Sequence, residues 1–251
     1  MDSFQRLIDI MDELRAKCPW DRQQTIESLR HLTIEETYEL ADAILENNMN
    51  DIRKELGDIL LHIVFYAKIA SETGDFTITD VIDGICDKLV FRHPHVFGEV
   101  QVNDAEDVKT NWENLKIKEG NKSILAGVPK SLPAVVKAHR IQDKARAAGF
   151  DWDEREQVWE KIEEELDELK TEISQMNTER IEAEFGDLLF SIINAARLYG
   201  IDPEAALERT NKTFIRRFKH LEQQTIKSGR PLTSMTLDEM NVIWEEAKKR
   251  K

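Results

Sequence analysis

The sequence predicts an all-α protein, and three observations support this fold class. Of 251 residues, 10 are Gly and 6 are Pro, roughly half their usual combined share of about 12%. With so few breakers, long uninterrupted elements are expected, and abundant Glu, Lys and Leu favour helices. Apolar residues also recur at helical spacing along most of the chain. A parallel-sheet enzyme, with glycine-rich turns after its strands, is disfavoured.

The first half of the chain divides into helices at polar or breaking residues. Cys18-Pro19 interrupts the first helix, Gly74 ends a later one, and Thr79 or Asp80 is expected to cap the next. The predicted helices cover residues 3–17, 28–46, 51–72, 80–92 and 104–118.

Residues 119–133 (EGNKSILAGVPKSLP) have a different composition, with two Gly and two Pro, and are the predicted linker. The predicted domains are therefore 1–118 and 134–251. In the second, apolar spacing predicts helices over 134–148, 155–175, 178–199, 203–226 and 236–250.

The two halves repeat one pattern. In the first half, Glu35-Glu36-x-x-Glu39 is followed by Glu55-x-Gly57-Asp58. In the second half, the same two motifs recur with the same gap between them, as Glu164-Glu165-x-x-Glu168 and Glu184-x-Gly186-Asp187. A shared motif pair with a shared gap predicts a duplicated helical domain.

The repeated acids predict a metal site. Carboxylates three residues apart lie on one helical face, and a short turn makes the two helices antiparallel neighbours. Four converging carboxylates would repel unless a cation joined them, and all-oxygen ligands select Mg²⁺, or Mn²⁺, over Zn²⁺. In a chain with 49 acidic residues, one such motif is usually a solvated face. The repetition of the motif in both halves favours metal binding.

These motifs resemble the signature of the MazG family of nucleoside triphosphate pyrophosphohydrolases. The resemblance spans nearly the whole chain, and its tandem form is typical of the family. It extends to Cys18–Asp21, Arg92–Phe97, Gly149–Trp152 and Arg216–Phe218. It implies two four-helix domains, dimerisation and Mg²⁺-dependent cleavage of a nucleoside triphosphate to the monophosphate and pyrophosphate, in nucleotide-pool housecleaning or regulation.

The second copy is the predicted catalytic one. Lys161, Arg180 and Asn194 share helical faces with its acids and suit a triphosphate, whereas the first copy has Leu32, Asp51 and Phe65 at those positions. The resemblance implies metal ligands at Glu165, Glu168, Glu184 and Asp187, and substrate contacts at Lys161, Arg180, Arg217 and Trp244. Glu165 is the predicted proton acceptor and Lys161 its charged partner in catalysis. The first copy is expected to be weakly active or inactive, with a secondary metal site at Glu36, Glu39, Glu55 and Asp58.

Two other functions stay open at this point. One is a base-selective pyrophosphatase, for example of dCTP or dUTP. The other is a non-catalytic helical dimer that binds a nucleotide or a partner, because Thr213 stands where the family commonly has lysine.

Charge and hydropathy restrict the partners. A net charge of −14 disfavours nucleic-acid polymers, and no apolar run approaches the roughly 20 residues that cross a membrane. Two cysteines without metal-site spacing predict a cytoplasmic protein.

Overall fold

A computed structural model describes residues 3–104, 107–108, 111–112, 115, 123–152 and 154–249. These residues contain helices and no strand, which confirms the all-α prediction. The chain forms two compact units, Met1–Val108 and Lys109–Lys251. The predicted helix over 104–118 and the start of the predicted linker fall largely outside the described residues. The domain boundaries at 118 and 134 stay predictions.

Over residues 3–104, the first unit contains four long helices and two short ones. Its helices are α1 (Ser3–Lys17), α2 (Pro19–Gln23), α3 (Ile26–Leu45), α4 (Met49–Thr73), α5 (Ile78–Arg92) and α6 (Pro94–Phe97). Helix α3 packs along α4, and α1 packs against α4. The positions predicted for the four long helices are confirmed within three residues at each end.

Local chemistry sets the ends of these helices. Gly74 ends α4 in the left-handed conformation, with φ of 76°, which a residue without Cβ adopts at little cost. The prediction that Thr79 or Asp80 caps α5 was wrong, because Thr77 is the capping residue. Its hydroxyl accepts a hydrogen bond from the Asp80 amide, and the Asp80 carboxylate accepts one from the Thr77 amide.

The core of the first unit joins three helices. Met11 of α1, Leu29 of α3 and Phe65 of α4 are buried together, and Leu32 packs against them. Their apolar area, removed from water, holds α1 against the α3–α4 pair.

In the second unit, a 3-10 turn at Ile124–Gly127 lies inside the predicted linker. Its α-helices are α7 (Ala134–Ala147), α8 (Gln157–Gln175), α9 (Thr178–Leu198), α10 (Pro203–Ser228) and α11 (Leu237–Lys249), with a further 3-10 turn at Leu232–Ser234. The two-residue turn at Met176 and Asn177 makes α8 and α9 antiparallel neighbours, which pack along their length. This pairing brings the two acidic motifs of the second copy together.

Candidate functional site

Three of the four predicted metal ligands in the second unit converge. One carboxylate oxygen from each of Glu165, Glu184 and Asp187 lies within 4.8 Å of the others. Glu168 is exposed on α8 and is outside this group of three among the described residues. Glu168 still acts on the cluster through its charge.

Glu184 lies among like charges within this cluster. Burial, followed by repulsion from Glu168 and Asp187, raises the pKa of Glu184 above its ordinary value. Among the described residues, the buried Oε2 atom of Glu184 has no hydrogen-bond partner. An all-oxygen set with an unpartnered buried carboxylate oxygen fits a hard divalent cation such as Mg²⁺.

Lys161 lies beside this cluster on α8. Its Nζ is 2.8 Å from Oε1 of Glu165 and 3.1 Å from Oε1 of Glu164. The hydrogen bond to Glu165, and then the one to Glu164, raise the pKa of Lys161. The lysine is therefore fully charged at neutral pH.

A cavity of about 610 Å³ opens beside these residues. Its walls are mainly apolar and aromatic, and they come from the segment before α7, from α7, from the segment between α7 and α8, and from α8 and α9. The lining includes Leu125, Ile141, Gln142, Phe150, Asp151, Trp152, Val158, Lys161, Glu165, Asp187, Phe190, Ser191, Asn194 and Arg197.

Two amides of the cavity wall have fixed orientations. Asn194 Oδ1 accepts a hydrogen bond of 2.9 Å from Arg197 Nε, so its NH₂ group is the part left to donate. Gln142 is 6% exposed, and its Nε2 donates to the Phe190 carbonyl at 2.8 Å. Within the described part of the chain, Oε1 of Gln142 has no partner.

An ion pair holds the Asn194 side of the cavity. The Arg197 side chain is 6% exposed and donates through both terminal nitrogens to Asp151. A buried guanidinium needs such a bidentate partner, because an unpaired charge there is costly. Asp151 and Arg197 are 46 residues apart, and sequence reasoning missed both. Only the Gly149–Trp152 motif pointed to this region.

The other predicted substrate contacts lie elsewhere on the second unit. Arg180 is 67% exposed, and its Nη1 is 3.2 Å from Oε1 of Glu172, beyond the acidic cluster along the α8–α9 pair. Arg217 lies over the ring of Trp244, with 5.9 Å between the guanidinium carbon and the ring centroid. Among the described residues that line the cavity, Lys161 and Asn194 are present, whereas Arg180, Arg217 and Trp244 are not.

The first unit keeps the acids in a different arrangement. Oxygens of Glu36, Glu39 and Glu55 lie within 4.8 Å of one another, while Asp58 faces Lys54 with an O–N distance of 3.9 Å. Burial, and then the charge of Asp58, raise the pKa of Glu36. A secondary metal site is thus compatible with this geometry.

Beside those acids, the first unit is packed rather than open. When the acidic motifs of the two halves are aligned, Val158, Lys161 and Asn194 of the cavity wall correspond to Leu29, Leu32 and Phe65. The last three belong to the hydrophobic core of the first unit or pack against it. The cationic and polar groups that face the second cluster are replaced here by apolar side chains.

Comparison with known proteins agrees with the duplicated architecture. The profile of the MazG nucleotide pyrophosphohydrolase domain matches residues 24–97 and 154–222. The chain is 44% identical to the nucleoside triphosphate pyrophosphohydrolase/pyrophosphatase MazG of Thermotoga maritima, covering 98% of this chain and 95% of that protein. It is 39% identical to the nucleoside triphosphate pyrophosphohydrolase of Escherichia coli, covering 99% and 98%. The chain therefore belongs to the MazG family and carries its domain twice.

Proposed function

We propose that the second unit hydrolyses nucleoside triphosphates to nucleoside monophosphates and pyrophosphate. The observation that carries this proposal is the placement of three carboxylates and Lys161 at a cavity of nucleoside size. The relatives from Thermotoga maritima and Escherichia coli are named for this reaction. Hydrolysis of this kind supports a role in clearing the nucleotide pool.

The cavity is the proposed nucleoside site. Its volume of about 610 Å³ falls within the usual range of about 300–1,000 Å³ for small-molecule pockets. Phe150, Trp152 and Phe190 provide apolar surface for a base and sugar. Asn194 provides a donor whose orientation is fixed by its bond to Arg197.

Glu165, Glu184 and Asp187, with Glu168 nearby, would hold Mg²⁺, and Mn²⁺ is compatible with the same oxygens. When bound, the ion neutralises phosphate charge and polarises the phosphorus centre.

The chain's own groups serve the displacement. Water attacks the α-phosphorus, the bond from that phosphorus to the bridging oxygen breaks, and pyrophosphate leaves. The Glu165 carboxylate accepts the proton of the attacking water. Lys161, fixed by Glu165, balances the negative charge that develops on the phosphates. Arg180, Arg217 and Trp244 stay predicted contacts for the rest of the substrate.

A homodimer is the proposed assembly. Leu56, Leu60 and Ile63 form an exposed apolar stripe on α4, and a matching stripe recurs at the corresponding positions of α9 as Phe185, Leu189 and Ile192. Exposed apolar surface of this kind marks a protein interface, and a second copy of the chain would bury it. Light scattering should give twice 29.1 kDa, and Leu189→Glu should shift the mass toward the monomer. Ile226→Glu, exposed but outside both stripes, is the control.

The decisive experiment measures pyrophosphate release from a panel of ribo- and deoxyribonucleoside triphosphates. Release should require Mg²⁺ or Mn²⁺, stop in excess EDTA and return when Mg²⁺ is restored. Undiminished turnover in EDTA would overturn the metal assignment. A metal-loaded protein that releases no pyrophosphate from any triphosphate would overturn the proposed reaction. None of the described helices is long and apolar enough to span a bilayer.

A further inference from the structure

The segment that precedes α7 is built into the cavity. It contains the 3-10 turn at Ile124–Gly127, and Ser123 and Val128 flank this turn. The Ser123 hydroxyl accepts from the Leu125 amide, and the Val128 amide donates to the Leu125 carbonyl. Leu125 is one of the residues that line the cavity. The profile of the family domain matches only up to residue 97 and again from residue 154, so this segment lies between the two matched stretches.

A buried lysine holds the segment against α7. Lys144 is 3% exposed, and its Nζ donates to the carbonyl of Ile124 at 3.0 Å. Lys144 also lies close to Gly127, on the other side of Leu125 from Ile124. A Cβ added to Gly127 would be 3.3 Å from Nζ of Lys144. Burying an ammonium group is costly unless hydrogen-bond acceptors satisfy its hydrogens, so the bond from Lys144 favours the observed position of the Ile124 carbonyl.

A second lysine of α7 makes a similar bond without reaching the cavity. Lys137, two helical turns before Lys144 and on the same face of α7, donates to the Lys130 carbonyl at 2.6 Å. Lys130 does not line the cavity among the described residues. The two lysines therefore hold the segment before α7 at two carbonyls, those of Ile124 and Lys130. Of these two bonds, only the one from Lys144 lies next to a cavity-lining residue, Leu125.

We propose that Leu125 is a nucleoside-contacting residue and that Lys144 is its positioning residue, so that residues 123–128 form a fixed wall of the nucleoside site. This inference rests on the proposed function, which places the nucleoside in the cavity. The wall contacts a part of the substrate remote from the reacting phosphorus. It therefore contributes the same binding energy to the bound substrate and to the transition state, and its loss raises KM while leaving kcat nearly unchanged.

The test uses the full chain and two readouts. The first is the separation of KM from kcat in steady-state pyrophosphate release. The second is calorimetric binding of an α,β-methylene nucleoside triphosphate, which binds without turnover. Leu125→Ala and Lys144→Met should each weaken analogue binding and raise KM by roughly three- to tenfold, with kcat within about twofold. Lys144→Arg, which keeps the charge and donors, should recover part of the loss.

Lys137→Met is the matched control and should leave both readouts at wild-type values. Thermal melting checks that each variant is folded at the assay temperature. If Lys144→Met is unfolded there, Leu125→Ala decides the matter, because its half-exposed side chain is not needed for the core. Wild-type affinity and KM in folded Leu125→Ala would overturn the proposal, as would a loss confined to kcat. If the wild-type protein binds the analogue but hydrolyses no triphosphate, the proposed function is contradicted. The binding measurements on the variants would then still test whether residues 123–128 contact the nucleoside.

Discussion

Phe65 and Asn194 occupy matching positions of the two units, yet Phe65 is 2% exposed within a hydrophobic core and Asn194 lines an open cavity. The same helix pair carries the acids in both units. The difference between them lies in what faces the acids. In the first unit that space holds apolar side chains, and in the second it is available to a ligand.

Asn194→Phe should close the second unit to nucleotide, because the larger ring occupies cavity volume and removes the acceptor of Arg197 Nε. We expect KM for triphosphates to rise by at least about tenfold, as expected from the loss of one well-placed polar contact plus steric exclusion. Steady-state pyrophosphate release measures the effect. Asn194→Ala, which removes the same amide without filling the cavity, is the comparison, and an equal loss in both variants would argue against exclusion by volume.

Phe65→Ala should destabilise the first unit without disabling the second. Truncating a fully buried phenylalanine costs about 3–5 kcal/mol of unfolding free energy. Urea or thermal unfolding followed by tryptophan fluorescence and circular dichroism measures this loss. Pyrophosphate release per mole of folded protein should stay within about twofold of wild type. A complete loss of hydrolysis in folded Phe65→Ala would show that the first unit takes part in the reaction.

Carboxylate substitutions should act unequally in the two units. Glu184→Gln and Asp187→Asn each remove a predicted metal-binding charge next to the cavity, and losing such a ligand misplaces both the metal and the substrate. We expect hydrolysis to fall by two or more orders of magnitude.

Glu55→Gln and Asp58→Asn are the matched controls at the corresponding positions of the first unit. They should leave most of the hydrolysis intact. Pyrophosphate release by the four variants, each checked for folding by circular dichroism, measures the difference. Equal losses in both pairs would mean that catalysis is wrongly assigned to residues 134–251.

The helix that carries Trp244 should respond to acid through Glu239. This carboxylate accepts two hydrogen bonds from Arg230 and one from the Thr236 amide, which lower its pKa from 4.5 to about 2. A depressed pKa means that the contribution to stability is present above the unfolded value of 4.5 and is lost as pH falls toward about 2. Glu239→Gln should therefore lower Tm at pH 7. The difference from wild type should shrink between pH 4.5 and 2, and a constant difference across that interval would contradict this origin.

Much of the fold follows from local patterns. Helical spacing of apolar residues places α1, α3, α4 and α9 nearly where they lie, because in each case one face is buried against another helix. The grouping of Glu165, Glu184 and Asp187 follows from the spacing of the acids on two adjacent helices, whereas Glu168 lies outside it among the described residues. The predicted cap of α5 at Thr79 or Asp80 was wrong by two or three residues, because a capping box joins two residues three positions apart. Thr77 is the first residue of this box and Asp80 is the last.

The cavity could not be predicted in this way. Arg197 and Asp151 meet only because α9 packs near the segment after α7, and Gln142 reaches Phe190 across 48 residues. Helical periodicity identifies neighbours on one helix and says nothing about such tertiary pairs. For that reason Arg180, which shares a face with Glu184, was expected among the acids, whereas the structure pairs it with Glu172.

The repeated apolar stripes on α4 and α9 have a consequence for how chains join. A chain with two such patches can form a closed two-fold dimer, in which the partner covers both patches, or an open series, in which each copy covers one patch of the next. The closed dimer can pair either like stripes or unlike stripes. Leu56 in one stripe and Phe185 in the other differ in size and shape, so substitutions at these two positions would distinguish like from unlike pairing in the proposed dimer.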